Sequence, residues 1–146
     1  MATSICDRLR ASVATETAEQ MRALAAEFAN ALSPDAVLAL HGDLGAGKTT
    51  FVQGLAQGLG VGEAVTSPTF TLFNVHRGTK AQLVHFDAYR LEHDSQLDSL
   101  MLEDFLVSPW VLAVEWPERV AEWLPPGALH LDLAIDAKQR HVIRLR

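Results

Sequence analysis

Apolar positions along this chain alternate between two rhythms, one of period two and one of period three to four. Residues 8–13 alternate polar and apolar and predict a first strand. Thr15 and Thr17 then offer N-caps for a helix running to about Leu32, with Met21, Leu24, Ala25 and Phe28 spaced along one buried stripe. Ser33-Pro34-Asp35 turns the chain into Ala36-Val37-Leu38-Ala39-Leu40-His41, a short apolar run that predicts a buried strand. Helical spacing returns at Phe51, Val52, Leu55 and Leu59, and Gly58-Leu59-Gly60 ends it.

The second half is richer in strands. Residues 70–76 and 82–86 predict a hairpin joined through Arg77-Gly78-Thr79-Lys80. Residues 95–106 predict a helix with Leu97, Leu100, Met101 and Phe105 inward and a solvated acidic face outward. Residues 110–114 form a continuous apolar run ending in an acid, the mark of a central strand. A short helix is expected over residues 117–124, closed by Pro125-Pro126, and then a final strand pair over 129–135 and 141–145.

Composition narrows this outline without directing it. At 146 residues, 49% hydrophobic and 21% charged, the chain suits one domain spanning 1–146, large enough for an apolar core without staples. The lone Cys6 excludes an internal disulfide framework. No apolar run approaches the roughly 20 residues of a membrane span. Asp7, Arg8 and Arg10 make the N-terminus unlike a signal peptide, so a cytoplasmic protein without membrane contact is expected. The net charge of −6 argues against a free-standing nucleic-acid binder, although Arg140, Arg144 and Arg146 cluster near the C-terminus. Any nucleic acid is expected to be held by a partner.

Between the predicted strand 36–41 and the helix that follows lies Gly42-Asp43-Leu44-Gly45-Ala46-Gly47-Lys48-Thr49-Thr50, a match to G-x-x-x-x-G-K-[ST]. Strand, glycine-rich turn and helix is the context in which that motif binds phosphate. Gly42, Gly45, Gly47 and the small Ala46 leave room for backbone N–H groups to face a concave turn. The helix N-terminus adds partial positive charge. Lys48 supplies a mobile cation for the terminal phosphates and Thr49 a hydroxyl for Mg²⁺. The motif implies nucleoside triphosphate binding. With the strand order it predicts an α/β, three-layer P-loop NTPase-like fold, its mixed central sheet mainly parallel with antiparallel edge strands.

Such a loop needs an acid at the end of a neighbouring strand to hold Mg²⁺ or its water shell. Two apolar runs end in one: Leu83-Val84-His85-Phe86 leads to Asp87, and Val111-Leu112-Ala113-Val114 leads to Glu115. At least one is expected at the metal. Thr66-Ser67-Pro68-Thr69 occupies the place of a switch loop, whose hydroxyls would touch Mg²⁺ or orient water. His85 alternates onto the face opposite Phe86 and reads as a packed strand histidine, Arg90 as a partner for an acid or a phosphate, and Trp116 as core. A small-molecule or nucleotide kinase is the competing reading. Its arginine-rich lid is missing, since Arg77, Arg90 and Arg119 are the only arginines between Lys48 and Val120. The guanine-reading N-K-x-D motif is also absent. A nucleotide-binding scaffold without turnover fits the two acids less well.

The P-loop, Thr66-Ser67-Pro68-Thr69, His85-Phe86-Asp87-Ala88-Tyr89-Arg90 and Glu115-Trp116-Pro117 together resemble, in order and spacing, the motifs of the TsaE (YjeE) family. That resemblance implies an ATPase acting with a TsaB–TsaD heterodimer to form N6-threonylcarbamoyladenosine at position 37 of tRNAs reading ANN codons, with tRNA met only through the complex. It implies ATP and Mg²⁺ as cofactors. Gly45, Ala46, Gly47, Lys48, Thr49 and Thr50 would bind phosphates, and Thr49 and Glu115 the metal. Asp87 would be a second essential acid and Thr69 part of a switch-like loop. It further implies adenine near Thr15-Glu16-Thr17, with Glu16 and Arg140 as nucleotide contacts.

Overall fold

The computed structural model describes residues 4–66, 68, 72–91 and 101–146. Ser67, Thr69, residues 70–71 of the expected hairpin and residues 95–100 of the expected helix lie outside them.

The chain opens with a helix, α1 (Ile5–Arg10), where alternation predicted a strand. Ser4 caps it by accepting from the Asp7 N–H, and Ile5 and Leu9, four apart, are its buried residues. Helical and extended patterns coincide over so few residues, and the cap with its i, i+4 pair decides between them. Strand β1 is the short Val13–Thr15. Helix α2 (Ala18–Ala31) starts at Thr17, whose hydroxyl accepts from the Gln20 N–H, and it buries the expected stripe of Met21, Leu24, Ala25 and Phe28. Strand β2 (Ala36–His41) runs into the glycine-rich turn and α3 (Lys48–Gly58) leaves it. Then come β3 (Phe73–Arg77), β4 (Gln82–Asp87), β5 (Trp110–Glu115), β6 (Leu129–Ile135) and β7 (His141–Leu145).

Among the described residues seven strands form one sheet in the order β1-β7-β6-β2-β5-β4-β3. The four central strands are parallel; β3 pairs antiparallel with β4 on one side, and on the other β7 pairs antiparallel with β6 and β1 antiparallel with β7. Helices α1, α2 and α3 cover one face through a core that includes Leu9, Phe28, Phe51, Leu55, Leu83, Ala113 and Leu131. Helix α3 can lie close on α2 because it carries glycine at the crossing: a Cβ at Gly54 would sit 2.6 Å from the Ala25 methyl.

The other face is built differently. Val84, Phe86, Leu112 and Val114 pack there against Leu91, Leu102, Val120, Trp116 and Trp123. Two expected helices fall in this layer. Among the described residues of 95–106 only a 3-10 turn, Leu102–Phe105, is present, entered through a left-handed Met101 with φ of 52°. It buries Leu102 and leaves Met101 and Phe105 exposed, reversing the expected inner side. Residues 117–124 likewise form a 3-10 turn, Pro117–Val120, followed by further turns. In 3-10 geometry side chains three apart eclipse, so short segments can plug a sheet face without an amphipathic stripe.

Candidate functional site

Register brings the chemistry together. Asp87 on β4 stands beside Glu115 on β5, and Glu115 stands beside Leu40 on β2, in one row at the carboxyl ends of three parallel strands. Registered partners share a face, and Leu40 belongs to the helix-covered core, so both acids point to the side from which α3 rises. This is the edge of an open α/β sheet where ligands bind. Gly45, Gly47, Lys48, Thr49, Thr50, Asp87, Glu115 and Trp116 line one cleft of about 350 Å³ there, together with Leu44, Tyr89 and His141.

The turn itself is shaped for close approach. Gly47, the residue before α3, has φ of 100°, a conformation that favours glycine. A Cβ there would lie 2.9 Å from the Met21 methyl and 3.1 Å from His141 Nδ1. Lys48 is only 5% exposed, and its Nζ donates to the Gly42 carbonyl at 2.7 Å while lying 3.8 Å from the Trp116 ring centroid. Trp116 therefore packs on the site as well as on the core. It adopts a left-handed conformation, φ 56°, that ends β5 and brings its ring over the lysine. Tyr89 packs against Trp116 at 5.0 Å between centroids and so backs the ring that lies over the cation.

Electrostatics follow from burial. Desolvation pushes the Lys48 ammonium below its ordinary value, opposed by Glu115, Asp87, Glu118 and Asp43. Desolvation pushes the half-buried Asp87 carboxyl above its ordinary value, with Glu115 adding to the rise. The Tyr89 N–H, donating to Asp87 Oδ1 at 3.0 Å, works against that rise, as do His85 and Lys48. Glu115 is buried and its Oε2 accepts from Nε2 of His85, which is fully buried two residues before Asp87 on the same face. His85 is thus packed, as expected, and also tied to an acid of the cleft, a contact the sequence reading missed. Alternation puts residues 85 and 87 on one face, and only the register of β4 on β5 brings that face to Glu115.

The remaining candidates lie elsewhere. Glu16 is exposed, its N–H donating to the Gln20 side chain at 2.7 Å in the cap of α2. Arg140 is tied to Asp136, Nε to Oδ2 at 2.9 Å, and its neighbour His141 lines the cleft instead. Arg90 is exposed and does not line the cleft. No local pattern marks His141. It reaches the turn because β7 runs antiparallel to β6, which puts the start of β7 at the same sheet end as the turn.

Known proteins share this chain's sequence pattern and fold. The family model described as threonylcarbamoyl adenosine biosynthesis protein TsaE matches residues 15–143. A tRNA threonylcarbamoyladenosine biosynthesis protein TsaE of Bacillus subtilis is 40% identical over 117 residues, 80% of this chain and 73% of that protein. Relatives of the same name from Streptomyces coelicolor and a Nostoc species are 45% and 47% identical. The first match covers 76% of both chains, the second 61% of this chain and 57% of the relative. A crystal structure of YdiB from Bacillus subtilis superposes with a TM-score of 0.72 at 32% identity, covering 90% of this chain and 81% of the other.

Proposed function

The chain belongs to the TsaE family of tRNA threonylcarbamoyladenosine biosynthesis, and from that membership we propose that it is the ATP-binding and ATP-hydrolysing subunit that keeps a TsaB–TsaD complex turning over. In this reading residues 1–146 are one cytoplasmic P-loop domain that meets tRNA only through its partners. Among the described residues no helix is long and apolar enough to cross a membrane. The observation that carries the proposal is the convergence of Lys48, Thr49, Asp87, Glu115 and Trp116 on one cleft at the glycine-rich turn.

The donor set of that cleft fits Mg²⁺, because the Thr49 hydroxyl and the carboxylates are hard oxygen ligands of the kind that complete a metal shell shared with phosphate and water. Bound there through Thr49 and Glu115, the ion would neutralise charge on the phosphates. The protein's own part begins with Lys48, which exchanges the Gly42 carbonyl and the Trp116 face for phosphate oxygens. The amides of Gly45, Gly47, Thr49 and Thr50 cradle the phosphates, while the Ala46 N–H donates to the Asp43 carbonyl at 3.1 Å and braces the turn. Asp87, oriented by the Tyr89 N–H, holds the attacking water and draws its proton. Tyr89 and Trp116 limit the water reaching the reacting bond. Thr69, which lies outside the described residues, and Glu16 and Arg140, on the adenine side, complete the assignment.

The test is a multiple-turnover tRNA modification assay with purified TsaB and TsaD. Modification is expected to continue past one round only when this chain and ATP are both present. Turnover that is indifferent to the chain or to ATP would contradict the proposal.

A further inference from the structure

One histidine outside the sequence motifs touches the glycine-rich turn directly. His141 begins β7 opposite Ile135, and its Nδ1 lies 3.0 Å from the Ala46 carbonyl oxygen. A carbonyl only accepts, so Nδ1 carries the proton and donates; in the neutral ring Nε2 is then the lone-pair nitrogen. The backbone of His141 is anchored as well. It pairs with Thr15 on β1, whose hydroxyl donates to the His141 carbonyl at 3.3 Å. Together with Met21, the imidazole fills the space that a side chain at position 47 would need.

A planar trans peptide points its C=O and N–H to opposite edges. Holding the Ala46 carbonyl toward His141 therefore turns the Gly47 N–H away from His141. We propose that His141 is a positioning residue for the nucleotide: its Nδ1–H holds the Ala46–Gly47 peptide so that the Gly47 N–H is presented to a bound phosphate. The proposal rests on the triphosphate reading of the cleft and deepens it. Without the imidazole the peptide turns more freely, because glycine tolerates many conformations. A phosphate then meets the N–H only part of the time. That loss falls on ground state and transition state alike, so it raises KM and leaves kcat in place.

The test is calorimetric titration of Mg–ATP and ADP into the whole chain and its His141→Leu and His141→Asn variants, with steady-state hydrolysis on the same samples. Asparagine is chosen because its amide nitrogen overlays Nδ1 and can donate to Ala46. His141→Leu is expected to weaken both nucleotides about ten-fold, roughly one lost hydrogen bond. KM should rise to match while kcat stays within about two-fold, and His141→Asn should recover most of the affinity. Unchanged affinity in His141→Leu, or no recovery in His141→Asn, overturns the proposal. Nitrogen NMR of the parent's histidine rings needs no variant: an Nδ1–H tautomer at His141 supports the proposal and an Nε2–H tautomer overturns it. A parent that binds no triphosphate would overturn the reading of the cleft itself, a distinguishable failure.

Discussion

Asp87 and Asp132 lie on strands of one sheet, yet the protein treats their carboxyls in opposite ways. Asp132 accepts two hydrogen bonds at 2.9 Å from Arg146, and these hold its carboxyl below the ordinary range. Asp136, nearby, is lowered first by the Arg140 backbone N–H and also by that residue's side chain. Asp87 accepts from the Tyr89 N–H, and burial pushes its carboxyl up. Lys48 on the neighbouring turn is pushed down for the same reason. The β6–β7 hairpin pairs its charges and leaves them near solvent, whereas Asp87 at the carboxyl end of β4 and Lys48 at the start of α3 are held against burial. Charges held at a cost to the fold mark where a ligand of complementary charge belongs.

Three substitutions press on that contrast. The largest effect is expected from Glu115→Ala, which removes the buried partner of His85 and a proposed metal ligand. Mg²⁺-dependent ATP hydrolysis should fall on the order of a hundred-fold or more, and full activity in a phosphate-release assay would remove Glu115 from the mechanism.

Asp87→Asn comes next, with two opposite readouts. Hydrolysis should fall about a hundred-fold, the usual worth of a positioned base. Stability should rise. The folded state binds the Asp87 proton more tightly than the unfolded chain does, so stability drains away as pH climbs from the ordinary carboxylate value through the raised one. The variant should therefore unfold at a higher temperature than the parent at neutral pH, with the gap closing as pH falls toward the ordinary value. A variant less stable than the parent at neutral pH would contradict the burial argument.

Arg146→Gln probes the hairpin and is the smallest. Asp132 contributes stability above its ordinary value and loses it as pH falls through the lowered one. The pair is partly exposed, so after solvent screening the variant should lose about 0.5 kcal/mol at neutral pH, and less in acid. Nucleotide affinity should not change, and calorimetry beside thermal unfolding checks both statements.

Much of the sheet was legible from sequence because its strands are bounded by strong signals. Ala36–His41 precedes glycines, Trp110–Glu115 follows a proline, and Leu129–Ile135 and His141–Leu145 flank a turn in which Asp136 accepts from the Lys138 and Arg140 amides. The layer opposite the helices was not legible. Its 3-10 turns bury Leu102 in one case and Pro117 with Val120 in the other rather than a stripe, so periodicity had nothing to detect. At the cleft, single-residue chemistry was visible in Lys48, Asp87 and Glu115, while their partners depended on tertiary placement. The Lys48–Trp116 contact requires the left-handed turn after β5, and the His141–Ala46 bond requires a strand order that no local pattern encodes.

Calorimetric titration of Mg–ATP into the parent and into Lys48→Ala tests the central claim most directly. Saturable binding of one nucleotide per chain is expected in the parent, weakened about a hundred-fold in the variant as a buried charge-assisted contact is lost. Equal affinity in the two proteins, or no binding by the parent, would contradict it.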